Sequence, residues 1–174
     1  MQTILRLAQL FTMTVWVGGL IFFAFILAPT AFHTLPTVQL AGSVVGAALK
    51  VFDPVALAAG AIFLVATGVM FKRAEQTIRG RYEMQFLIAA VMMLGTAYIH
   101  WNLLPAMDND RARAGGEINS VAIDHPARVH FDKLHKRSEV VEGAILLAGL
   151  LIVSLMAREL PGSTREATAT ERSA

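Results

Sequence analysis

Residues 4–28, ILRLAQLFTMTVWVGGLIFFAFILA, are an apolar run interrupted by a single charge, Arg6. Roughly 20 helical residues cross the hydrocarbon core of a bilayer, so this run is long enough to span one. Three more stretches share its character, at residues 54–71, 84–104 and 140–157. Backbone groups in hydrocarbon must bond within their own segment, and none of the stretches alternates polar and apolar residues as a barrel strand does. The expected fold is therefore all-α, an integral membrane four-helix bundle. It is expected to form one domain over residues 1–160, with helices at about 4–32, 54–71, 84–104 and 126–158. A disordered tail, rich in Ser, Thr, Glu and Arg, is expected over 161–174.

Composition supports the same class. The 174 residues are 55% hydrophobic and only 16% charged, with a mean hydropathy of +0.56, which is too apolar for an ordinary soluble domain. The formal net charge is +2 and the basic residues flank apolar runs, where they anchor loops; nucleic acid is set aside as a partner. There is no cysteine, which excludes disulfides, thiolate metal sites and catalytic thiols. The first run exceeds the length of a signal-peptide core and carries only Arg6 near its start, so it is expected to be a retained helix, bent near Pro29.

Charge distribution gives an orientation. With four alternating helices, one face holds Arg6, Lys72, Arg73, Arg79, Arg81, Arg158, Arg165 and Arg172. The other holds Lys50, Arg111, Arg113, Arg128, Lys133, Lys136 and Arg137, spread over longer connections and offset by Asp108, Asp110, Glu117, Asp124 and Asp132. The short, dense loop at 72–81 weighs more, which predicts a multi-pass protein with both termini cytoplasmic.

Local signals refine the connections. Asp53-Pro54 reads as an N-cap followed by proline in the first turn, so the second helix is expected to begin there, after a short interfacial helix within 36–52. The polar stretch 105–124, broken by Gly115-Gly116, reads as a loop. His125-Pro126 then opens the last helix, which is expected to project beyond the membrane.

All five histidines, His33, His100, His125, His130 and His135, fall at or beyond the same end of this bundle. Imidazole titrates near neutral pH and is the side chain most used to bind metals, so a one-sided set suggests a ligand site on one membrane face. On the last helix His135, Glu139 and Glu142 stand at i, i+4 and i+7 and share a face, with Ser138 beside them. On the third, His100 lies about 21 Å along from Phe86, matching the roughly 21 Å between Glu142 and Met156. His100 and His135 are thus the candidate cofactor-binding residues, and His100, His135, Glu139 and Glu142 the candidate metal ligands, for a metal ion or haem. No HExxH, CxxC or Glu-x-x-His motif accompanies them.

Other residues have structural readings. His125 before proline is expected to cap, and His33 and His130 to hydrogen-bond at the interface. Asp132 and Lys136 are expected to pair across one turn. Met92-Met93 and Trp16 are expected to fill the interior and Trp101 to anchor at the interface, while Gly18-Gly19, Gly42 and Gly46 are expected to permit close helix approach. Ser138 is three residues after His135, a spacing suited to a structural bond, and no nucleophile-and-base constellation points to an enzyme.

Several stretches resemble a known family. Trp16-Val17-Gly18-Gly19-Leu20, Ala28-Pro29-Thr30-Ala31-Phe32 and Phe131-Asp132-Lys133-Leu134-His135-Lys136-Arg137-Ser138 are together similar to the transmembrane protein 205-like family of small four-helix membrane proteins. That resemblance covers about residues 5–157 and singles out His135 and Ser138; the family often carries asparagine where this chain has Glu142. The Trp-Val-Gly-Gly segment is also similar to copper-resistance membrane proteins of the CopD type, which carry an upstream histidine where this chain has Gln9. Two functions are expected from the sequence: a ligand-binding module using the His/carboxylate cluster, or a non-catalytic accessory subunit of a larger membrane complex. The partners would be the lipid bilayer and other subunits or a second copy.

Overall fold

The structure, a computed structural model, describes residues 2–158, so the tail expected at 161–174 lies outside the described residues. Among the described residues four helices are long and apolar enough to cross a membrane: α1 (Gln2–Thr34), α2 (Val38–Arg73), α3 (Gln76–Arg113) and α4 (Pro126–Ala157). Connections of two or three residues join the first three, forcing antiparallel neighbours. Each helix packs against the next, and α1 closes the bundle against α4. The expected all-α membrane bundle is the architecture found.

Its interior is filled by Trp16, Phe63, Met92, Ile152 and Met13, all essentially inaccessible. Glycines set the helix separations: a Cβ on Gly60 would lie 2.5 Å from Trp16 Cζ3, and one on Gly149 2.5 Å from Val17 Cγ2. These contacts bring backbone and large side chain together where no other residue fits. Gln9 and Thr67 are buried and bonded to each other, Nε2 donating to Oγ1 at 2.8 Å, which ties α1 to α2. Thr12 and Thr96 return their hydroxyls to carbonyls of their own helices. Outward faces are apolar instead: Phe11, Val65, Val91, Leu94 and Leu147 are exposed, as they must be where lipid tails are the solvent.

Three expectations about boundaries are corrected. Residues 38–52 are not a separate interfacial helix, and Asp53-Pro54 does not start α2. The helix runs unbroken from Val38, and its N-cap is Thr37, whose hydroxyl accepts from Leu40 N at 3.1 Å. Proline inside a helix removes one hydrogen bond and crowds the preceding turn. Continuity is favoured here because Ala41 and Leu49 are buried and Phe52 fits the space over Gly19. Likewise α3 passes through Pro105 to Arg113, so half of the expected 105–124 loop is helical. Gly115 and Gly116, with φ of 79° and 96°, turn the chain after it. Finally, α3 begins at Gln76, eight residues before the apolar stretch at 84.

Two of the helices carry a π turn. In α1 Ala28 N donates to Phe23 O, and in α3 Leu104 N donates to Ile99 O, each five residues back. Pro29 and Pro105 follow immediately. A proline offers no N–H to the carbonyl four residues before it and its ring presses on that turn, so the preceding residues widen to the next available donor. The bend expected near Pro29 takes this form.

The helices are longer than a membrane is thick. At 36 residues α2 extends about 54 Å, against a hydrocarbon core of roughly 30 Å. The excess lies at the histidine-bearing end, where α3 beyond Leu104 and α4 before Glu139 are polar while α1 and α2 remain apolar. That mismatch between the two halves of the bundle shapes the site.

Candidate functional site

Where the helices project, they separate around a cavity of about 600 Å³. One side is the apolar hairpin of α1 and α2, with Phe23, Phe25, Phe32, Val45 and Leu49; the other is the polar extension of α3 and α4. Apolar packing holds the hairpin together, and salt bridges hold it to the extension.

The α2–α3 contact is ionic. Lys50 Nζ lies 2.5 Å from Asp108 Oδ2, and Arg111 Nη1 lies 3.3 Å from Asp108 Oδ1. Arg111 lies over Gly42 and Gly46 of α2, where an added Cβ would stand 3.8 Å from its guanidinium nitrogens, an ordinary contact. Its other face lies over the Phe131 ring, 4.9 Å from the centroid. Gly42 and Gly46 therefore seat an arginine, which corrects the expectation that they bring two helix backbones together. On α4 the imidazole of His135 stacks on Phe131, centroids 6.1 Å apart, and its Nε2 lies 3.2 Å from Glu139 Oε1. Glu142, one turn deeper, completes the wall, close enough to Asp53 and Glu139 to feel their charges.

His100 is placed differently. It sits in the π turn of α3 with Nδ1 3.4 Å from Asp53 Oδ2 on α2, and Asp53 is 5% exposed. Both atoms are buried, and neither has a well-aligned hydrogen-bond partner among the described residues. Asp53 is thus an intramembrane carboxylate facing an imidazole, and not the helix cap its position before proline suggested. Neither residue lines the cavity.

Of the four candidate ligands, the structure brings His135, Glu139 and Glu142 onto one wall and leaves His100 with Asp53. Among the described residues no three histidine or carboxylate side chains are arranged to hold a metal ion. Ser138 is buried, its hydroxyl donating to the backbone carbonyl of His135 at 2.8 Å rather than meeting the imidazole.

The remaining histidines have structural partners or positions. His125 Nδ1 accepts from Ala127 N at 3.3 Å, the expected cap of α4. His130 Nδ1 is 2.6 Å from Asp110 Oδ2, a carboxylate 2% exposed that Arg113 also approaches at 3.9 Å, and this pins the α3 extension to α4. His33 lies in the last turn of α1, where a basic side chain suits the helix dipole. Asp132 and Lys136, expected to pair, do not form a salt bridge; both are exposed, where such a pair adds little.

Sequence reading missed Lys50, Asp108, Arg111, Gly42 and Gly46. Only the i, i+3 spacing of Asp108 and Arg111 and the i, i+4 spacing of the two glycines were visible signals. No curated protein and no solved structure matches this chain. One family model does, described as a domain of unknown function, DUF4149, over residues 11–114. The match takes in α1, α2 and α3 with Lys50, Asp53, His100, Asp108 and Arg111, and stops before α4. Since it covers more than half of the sequence, the chain belongs to the DUF4149 family.

Proposed function

We propose that this protein is a membrane-embedded binding module, which holds a small amphipathic ligand in the cavity at the histidine-bearing end of the bundle. The observation that carries this reading is the make-up of the cavity: apolar walls from α1 and α2, ionic groups from α2, α3 and α4, and a volume within the range of ligand sites. His135 and Glu139 stand at its rim and Glu142 further in. The dense basic stretch at 72–81 supports an orientation with this end outside the cytoplasm and both termini inside. A closer likeness to the transmembrane protein 205-like proteins is part of this proposal; of the three stretches that support it, Phe131–Ser138 lies beyond the family match.

A metal ion or haem held through His100, His135, Glu139 and Glu142 is the narrower form of this reading. It is supported by three of those residues sharing one wall, and it requires His100 to turn from Asp53 toward them. An accessory role in a larger complex is favoured by a different observation: the Ser138 hydroxyl is bonded to the His135 carbonyl, so that pair forms no activated nucleophile.

Purified full-length protein, extracted in a non-ionic detergent, separates these. Mass spectrometry of bound small molecules, metal analysis and an absorption spectrum are taken together on wild type, His135→Ala and His125→Ala. A stoichiometric organic ligand, reduced in His135→Ala and kept in His125→Ala, is the expected result. A haem band or stoichiometric metal lost in His135→Ala establishes the narrower form. A stable protein partner with no small-molecule occupant overturns the binding reading in favour of the accessory one.

A further inference from the structure

The charges on the cavity wall fall into two subsites of opposite sign. Lys50 and Arg111 share a single carboxylate, Asp108, so this group carries one uncompensated positive charge. Across the cavity His135 is already engaged with Glu139. Glu142 makes no hydrogen bond or ion pair with any described residue, and its charged neighbours are the carboxylates of Asp53 and Glu139. It is the acidic group of this wall that has no cationic partner among the described residues. Asp132, the remaining acidic wall residue, is exposed at the mouth, where water screens it.

Depth and access narrow the occupant further. Lys50 lies about 32 Å along α2 from Phe71, and Glu142 about 21 Å along α4 from Met156 with its side chain leaning back toward the helix N-terminus. Lys50 therefore stands where a roughly 30 Å hydrocarbon core gives way to headgroups, and Glu142 sits deeper, inside the edge of that core and near Asp53, one turn below Lys50. Beside them Phe25 lines the cavity and is also exposed on the outer surface, next to exposed Phe22 and Ile26, so the apolar wall continues into the lipid-facing surface.

We propose that the occupant is a zwitterionic phospholipid, with its phosphate against Lys50 and Arg111, its ammonium against Glu142, and its acyl chains along the apolar face of α1 and α2. This rests on the binding-module reading. An anionic lipid would satisfy the cations and leave Glu142 facing more negative charge. A cationic amphiphile would do the reverse. A zwitterion matches both subsites without a buried unpaired charge.

The test reconstitutes the full-length protein in vesicles of equal parts phosphatidylethanolamine and phosphatidylglycerol. The protein is re-extracted in non-ionic detergent and the retained lipids are quantified. Wild type is expected to retain phosphatidylethanolamine over phosphatidylglycerol by about fivefold, the effect of one charge near a membrane surface. Glu142→Gln is expected to abolish or invert that preference while still retaining lipid; Lys50→Met with Arg111→Met is expected to lose phospholipid of both kinds. Soluble glycerophosphoethanolamine, added in excess, is expected not to displace the lipid. Equal retention of both lipids by wild type, an unchanged preference in Glu142→Gln, or displacement by the soluble headgroup would overturn the proposal. If no variant, wild type included, retains any lipid, the binding-module reading itself fails. Thermal unfolding of each variant shows whether it is folded, and Glu117→Gln, which alters an exposed carboxylate outside the cavity lining, is the charge-matched control expected to keep the preference.

Discussion

At the scale of single residues, glycines do two different jobs that look alike in the sequence. Gly18 has nothing within 4 Å of the Cβ it lacks, whereas the same atom at Gly60 would meet Trp16 at 2.5 Å and Met93 Cγ at 2.8 Å. Neither neighbour yields easily: Trp16 is fully buried, in the middle of the core. Gly60→Ala is therefore expected to destabilise the bundle by about 1–3 kcal/mol through overpacking. Gly18→Ala is expected to be neutral or to stabilise by up to about 1 kcal/mol, the helix-propensity difference. Reversible denaturation in a single detergent compares the two; equal stability of both variants would contradict the packing described. The same scale shows how much of the site was legible. The i, i+4, i+7 alignment of His135, Glu139 and Glu142 is a property of one helix and could be read directly. The Lys50–Asp108 and Asp53–His100 pairs join different helices, and no local spacing announces them. His100, expected to join His135 and Glu142, instead faces Asp53 from within a π turn of α3.

At the scale of elements, the hydropathy of the four spans was sufficient for their number and order, because lipid imposes a strong requirement on every 20-residue run. Hydropathy was blind to the helical extensions. Residues 38–52 and 104–113 are helical by packing and salt bridges, and Pro54 and Pro105 were read as boundaries although the helix runs through each; before Pro105 it does so with a π turn. The distortion has a measurable consequence. A π turn closes with a bond to the fifth residue back, so it accommodates one residue more than an α turn. Deleting exposed Trp101 from Ile99–Leu103 is expected to convert the turn to regular α-helix and to keep Asp108 and Arg111 facing Lys50 and Gly46. Deleting exposed Leu94, in regular helix, rotates everything beyond it by about 100° and misaligns the whole α3 extension. The Trp101 deletion should yield folded, monodisperse protein with a melting temperature near wild type, and the Leu94 deletion should not. Comparable loss in both would mean that the turn is not an insertion that the helix can release.

At the scale of the whole molecule, the bundle is two-sided. One end has the two-residue turn between α2 and α3, flanked by the basic residues of 72–81; the other has the projecting helices, the cavity and all five histidines. Which end faces the cytoplasm decides which leaflet supplies a ligand to the cavity. The basic residues alone are nearly balanced, eight against seven, so the orientation rests on their density in a short loop rather than on their number. The absence of cysteine makes a direct measurement available, since any introduced thiol is unique. Glu117→Cys lies in the connection before α4 and Glu75→Cys in the α2–α3 turn, both exposed and at opposite ends. A membrane-impermeant maleimide applied to intact cells is expected to label Glu117→Cys and to reach Glu75→Cys only after lysis. The reverse pattern would put the cavity on the cytoplasmic face and its lipid supply in the inner leaflet. Labelling of both sites in intact cells would show that the chain inserts in two orientations, which its even charge count permits and the density of its short loop opposes.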